Sequence, residues 1–208
     1  MDQQTPSALA RADRQAEQRR RILDAAIACF ARGGFHATGM QAVCAEAGMS
    51  PGGLYRYFRS KEAIIEAIVE RDRAAIPAML APLLEADDVV EAIVEAARQF
   101  VAGNLKSEGM PIFPELYAEA IRNPAVKAIA ERCDVEVHEI LMRVLERGKT
   151  LRQIDPALDA NHAARLLMAF SDGVLLRILY EPAARLEGLM PMFERSIRSF
   201  LAAPEAGR

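Results

Sequence analysis

The chain has 208 residues, 51% of them hydrophobic, with no tryptophan and a formal net charge of −3. No stretch approaches the ~18–20 apolar residues of a membrane span, and the N-terminus "MDQQTPSALARADRQAEQRRR" has no apolar signal core. The three cysteines, Cys29, Cys44 and Cys133, are widely spaced and form no CxxC pair, so free thiols in a reducing cytoplasm are expected and no membrane is. The charge is uneven: residues 1–61 carry nine Arg/Lys against five Asp/Glu, and residues 62–208 carry seventeen against twenty-four. A basic front on an acidic body suits a polyanionic partner. Few segments alternate apolar and polar residues, which predicts an all-helical chain.

In chain order, residues 1–12 are polar, hold Pro6 and show little periodicity, and are expected to form a disordered arm. A helix follows from about Arg14, with Ile22, Ala26, Cys29 and Phe30 on one face and "RGG" (Arg32–Gly34) closing it through a glycine cap. Thr38, three residues before Gln41, fits a capping box opening a short second helix. This one stops at Gly48. Ser50 then caps a third helix with Pro51 at its first position, and Ser60 and Glu62 open a fourth running toward Pro77. The joint "AGMS" between two short helices has helix-turn-helix grammar. Beyond Pro77, longer and more apolar helices are predicted at about 87–106, 111–122, 124–148, 156–180 and 183–202, with Pro111, Pro124, Pro156 and Pro182 at their joints.

The third helix repays a residue-by-residue reading. At about 100° per residue, Leu54 and Phe58 share a buried edge while Gly52, Arg56 and Gly53 occupy the opposite arc. Tyr55 and Tyr57 flank the two. A nearly bare arc lets the backbone sink into a groove. Rim hydroxyls and Lys61 suit phosphates, and Arg56 is placed to reach base edges. The competing reading is that the glycines only permit close helix packing and the tyrosines are partly core.

The run "GFHATGMQAVCAEAGMSPGGLYRYFRSKEAII" resembles the DNA-binding domain of TetR-type transcriptional repressors. Gly34, Phe35, Thr38, Ala47, Gly48, Ser50, Gly52, Leu54, Tyr55, Phe58, Lys61 and Glu62 carry the likeness in order and without gaps, and "RRRILDAAIACFARGG" matches the first helix of that family. Gly39, Cys44 and Tyr57 depart from it, standing where a hydroxyl residue, an alanine and a histidine are common. The resemblance implies an all-α fold. An N-terminal helix-turn-helix domain (residues 13–76, motif about 39–58) is followed by a helical body (77–208) that dimerises and holds a small effector. It also implies DNA contacts from Thr38, Gly39, Ser50, Pro51, Gly52, Gly53, Tyr55, Tyr57 and Lys61, to which the wheel adds Arg56. The basic arm (Arg11, Arg14, Arg19–Arg21) either adds phosphate or minor-groove contacts or is a solvated helix start.

In the body, the apolar arc of "LLMAFSDGVLLRILY" is wider than the ~100° face one core requires. With the last helix it is the expected dimer interface, drawn from Leu167, Gly173, Leu176, Leu179, Met190, Phe193 and Ile197 and forming a four-helix bundle with a second copy. Burial within one subunit is the alternative. Phe100, Met110, Phe113, Tyr117, His138, Met142 and His162 are either pocket residues for a largely apolar effector or plain core. The stretch "PELYAEAIRNP" resembles regulators with a BetI-like C-terminal domain.

Catalysis finds no support. The three histidines are scattered, and no HExxH, CxxC or phosphate-binding glycine loop is present, so no catalytic residue, metal or cofactor is expected. The expected function is a dimeric DNA-binding regulator, most simply a repressor of a palindromic operator. The alternative is a helical interaction module without specific DNA binding.

Overall fold

The computed structural model describes residues 5–73, 76–106, 112–181 and 188–203. All regular structure among them is helical: α1 (Thr5–Gly33), α2 (Met40–Glu46), α3 (Pro51–Tyr55), α4 (Lys61–Arg73), α5 (Ile76–Glu85), α6 (Val89–Lys106), α7 (Ile112–Ala120), α8 (Pro124–Thr150), α9 (Ala160–Tyr180) and α10 (Leu189–Leu201). No described helix is long and apolar enough to cross a membrane.

Three boundaries differ from expectation. Helix α1 starts at Thr5 rather than near Arg14, so residues 5–12 are helical, while residues 1–4 lie outside the described residues. The segment lacks apolar periodicity, but Ala8, Ala10, Ala12 and Ala16 are strong helix formers and Pro6 sits in the first turn, where it is tolerated. Helix α5 is not expected from the sequence, because Pro77 and Pro82 punctuate it. Pro77 falls in its first turn. Pro82 costs one interior hydrogen bond, which the burial of Leu80 and Leu83 offsets. Helix α9 begins at Ala160 and not at Pro156, because residues 155–158 form a turn. There Asp155 Oδ1 accepts from Ala157 N at 2.8 Å and its carbonyl accepts from Leu158 N at 3.1 Å. Asp159 then caps the helix, accepting from His162 N at 2.8 Å. The joints expected at Pro111 and Pro182 lie outside the described residues.

The helices form two compact units. The first comprises residues 1–71 with 108–130, the second residues 72–107 with 131–208. In the first, α1 packs on α2 and α7, and α2 on α3, around Ile22, Phe30, Phe35, Val43, Leu54 and Phe58. In the second, α6 packs on α5, α9 and α10, and α9 touches α10.

The core of the second unit includes Val89, Ile93, Val144, Leu145, Ile154 and Leu201. Gly148 on α8 is enclosed by it. A Cβ there would stand 2.5 Å from Ile154 Cδ1 and 3.1 Å from Val89 Cγ1. Gly148→Ala should therefore lower stability by about 1–3 kcal/mol despite the better helix propensity of alanine. A denaturant melt checks this, and a midpoint equal to or above wild type would show that Ile154 moves aside freely.

Asp172 of α9, partly buried and facing Asp134 of α8, is pushed up to about 7, first by burial and then by the neighbouring acid. Its folded pKa is above its unfolded value. Its ionisation therefore opposes folding, and stability is lost as pH rises from about 4 to about 7. Asp172→Asn should melt higher than wild type above pH 7, and the difference should vanish toward pH 4. A constant difference across that range would mean the carboxylate keeps its charge throughout.

Candidate nucleic-acid interface

The turn between α2 and α3 is made by Gly48, whose φ of 64° is left-handed. Its N–H reaches Ala45 O at 3.1 Å, and Met49 N reaches Cys44 O at 2.9 Å, so the carbonyls at the end of α2 are satisfied. Ser50 immediately caps α3, accepting from Gly53 N at 3.2 Å, and Pro51 takes its first position. Leu54 and Phe58 are fully enclosed, as the wheel predicts, and the Arg19 guanidinium lies 4.5 Å over the Phe58 ring.

The opposite face is open. A Cβ built on Gly52 or Gly39 meets nothing within 4 Å, so none of the described residues requires glycine at either position. At Gly53 a Cβ would come 3.2 Å from the capping Ser50 Oγ. Tyr55 is 51% exposed, while Tyr57 is half-buried. Arg56 follows the last residue of α3 and is exposed. With Tyr57 it faces Arg11, Arg14, Gln15 and Gln18 of α1 across a cleft of about 390 Å³.

Two residues expected at the DNA surface point inward. Thr38 is buried and forms no capping box. Its hydroxyl donates to Gly34 O at 2.8 Å and lies 3.2 Å from Cys29 O, while Gly39 takes the N-cap position of α2 without a side-chain bond. Thr38 thus ties the loop after α1 to the end of that helix. Lys61 donates from Nζ to Phe35 O at 2.9 Å and His36 O at 3.2 Å, with its ammonium 4.6 Å over the Phe35 ring. It braces the same loop.

A third brace is not legible in the sequence. Glu115 of α7 accepts from Phe35 N at 3.0 Å, next to Gly34 in its left-handed conformation at φ 74°. Nothing in the spacing of residues 34 and 115 reveals this pairing, and "PELY" is read from sequence only as part of the body.

The expected pocket residues meet different surroundings. Phe100 and Met142 pack against the core of the second unit. The His138 ring lies 3.2 Å from Asn161 O, and His162 is exposed beside Asp159 at 3.1 Å. Tyr117 is half-buried on α7 in the first unit. Met110 and the Phe113 side chain lie outside the described residues.

The residues expected at the dimer face divide between the subunit's own core and its surface. Leu167, Phe193 and Ile197 are enclosed in their own subunit's core, and Met190 packs against it. Leu179 is half-buried. Gly173 and Leu176 do face outward, and on α9 they fall in an exposed apolar line with Leu166, Phe170 and Tyr180, while Met192 of α10 is also exposed.

A capped short helix with a bare outer face, set behind a glycine turn in an all-helical unit, defines a helix-turn-helix DNA-binding protein. Residues 22–68 match the family described as bacterial regulatory proteins, tetR family, and residues 86–202 match the BetI-type transcriptional repressor C-terminal family. The HTH-type transcriptional regulator UidR of Escherichia coli (strain K12) is 32% identical over 167 residues, covering 80% of this chain and 84% of UidR. The structure of Salmonella enterica GusR is 32% identical with a TM-score of 0.74, over 88% of this chain and 92% of that one. Bacillus subtilis FadR in complex with stearoyl-CoA shares the fold at a TM-score of 0.76 and 19% identity, over 88% and 98%. The chain belongs to the tetR family and is a DNA-binding transcriptional regulator.

Lys61 has a structural task on this geometry. Lys61→Ala should cost about 1–2 kcal/mol of stability, since it removes two charge-assisted hydrogen bonds to loop carbonyls at a partly exposed site. The melting temperature measures this. A variant that melts like wild type but loses DNA affinity would return Lys61 to the phosphate-contacting role expected from sequence.

Proposed function

We propose that the protein is a dimeric repressor with a DNA-binding head (residues 13–76) and a helical body (77–208). Two copies join through the outward line of α9, with α10, and place their α3 helices in successive major grooves of a near-palindromic operator. Half-sites one helical turn apart, about 34–36 Å, fit such a dimer. The carrying observation is the open space at Gly52: this backbone is bare although none of the described residues needs it bare. Gly39, Ser50, Pro51, Gly53, Tyr55, Arg56 and Tyr57 contribute the remaining contacts. The protein acts by binding in the cytoplasm, not by catalysis.

Release follows when a small, largely apolar effector binds the body. FadR, with the same fold, is seen with stearoyl-CoA, whose acyl chain is apolar and whose CoA head is charged. The effector lowers operator affinity only by binding more tightly to the form that does not bind DNA.

Selection from a random-sequence duplex library should enrich a near-palindrome with wild type. Gly52→Ala and Gly52→Leu should both fold. Alanine should raise stability by up to about 0.5–1 kcal/mol, because glycine is the poorer helix former. Leucine should lower affinity for the selected duplex about tenfold or more, that is, by about 1.4 kcal/mol. Full affinity in Gly52→Leu would remove the close approach on which the reading depends.

A further inference from the structure

The described side chains of α1 before Ile22 are almost all exposed. Among its described side chains the first buried one is Ile22, and residues 10–21 are exposed except for the half-buried Gln18, while the helix backbone continues back to Thr5. One face of this extension carries Arg11, Arg14, Gln15 and Gln18, at the spacing that aligns side chains on a helix. These four residues form one wall of the cleft whose other wall is Arg56 and Tyr57.

The other cations of α1 are engaged within the chain. Arg20 pairs with Glu17 at 2.8 Å, Arg19 covers Phe58, Arg21 reaches Ala47 O at 3.3 Å, and Arg32 pairs with Glu46. Arg11, Arg14 and Arg56 form no ion pair among the described residues. The cleft therefore gathers three guanidinium groups, two amides and a phenol, with no carboxylate in its lining. Fixed forks of N–H donors without an internal acceptor match phosphate oxygens.

We propose that this cleft grips the sugar–phosphate backbone of the DNA duplex beside the groove entered by α3, and that Arg56 is a phosphate ligand rather than a base reader. The inference rests on the DNA-binding reading above and deepens it. It gives the exposed stretch 10–21 of α1 a purpose beyond packing. It also reassigns the one long side chain at the end of α3 that helical periodicity points toward base edges.

The test uses the full-length protein, a duplex selected with wild type and a scrambled duplex. Arg11→Ala/Arg14→Ala should unfold like wild type, because neither side chain holds an ion-pair partner among the described residues. It should bind both duplexes more weakly by the same factor, roughly tenfold. The slope of log affinity against log salt should become shallower by about 0.9 for each phosphate no longer neutralised. Arg56→Ala should behave in the same way and select the same sequence. Unchanged affinity and slope in the double variant overturn the cleft while leaving the regulator reading intact. A changed sequence preference in Arg56→Ala overturns its assignment to phosphate. Failure of wild type to select any duplex instead removes the regulator reading, and the cleft with it.

Discussion

Five residues do not make a stable helix in water. A single turn fixes many dihedral angles for very few hydrogen bonds, and stability must come from packing or caps. Helix α3 is in that position, and two of its five residues are glycine. Its form depends on the enclosure of Leu54, with Phe58 in the turn behind it, assisted by the Ser50 cap and by Pro51 at the first position. All of these act from behind or from the start of the helix. That arrangement permits the outer face to remain bare. If α3 drew its stability from its outer side chains, those side chains would occupy the space proposed for DNA.

The loop between α1 and α2 is held by the same logic, from two directions and with opposite charges. Phe35 offers its N–H to the carboxylate of Glu115 and its carbonyl to the ammonium of Lys61. Thr38 closes the loop onto the carbonyl of Gly34. Charge-assisted bonds are the strong members of their class, and here they fix the entry to α2, on which α3 packs. Helix α7, a part of the body in chain order, thus packs in the same compact unit as α1 to α4.

How much of this is legible in the sequence depends on whether the signal is local. Ser50, Pro51 and Gly48 can be placed from sequence because caps, proline positions and left-handed glycines act within a few residues of themselves. Leu54 and Phe58 can be placed because a wheel needs only periodicity. Glu115 and the inward turn of Lys61 and Thr38 cannot, because each depends on which distant backbone group needs a partner. The outward face of α9 is hidden for a related reason. Leu166 and Leu167 are adjacent in sequence and equally apolar, and which of them faces the core is decided by α6 and α10. The early start of α1 escapes periodicity altogether, because periodicity reports burial and an exposed helix of good formers has none to show.

The same distinction governs the charge argument. Nine cations in residues 1–61 predict a polyanion partner only if they are available to it, and at least five are not. Arg19, Arg20, Arg21, Arg32 and Lys61 are committed to a ring, carboxylates or carbonyls of the same unit. They build the head rather than advertise it. Arg11, Arg14, Arg56 and Arg59 remain without an ion pair among the described residues. A net excess of charge is therefore a poor measure of binding capacity. Geometry separates the cations that hold the helices together from those still able to exchange water and counterions for phosphate.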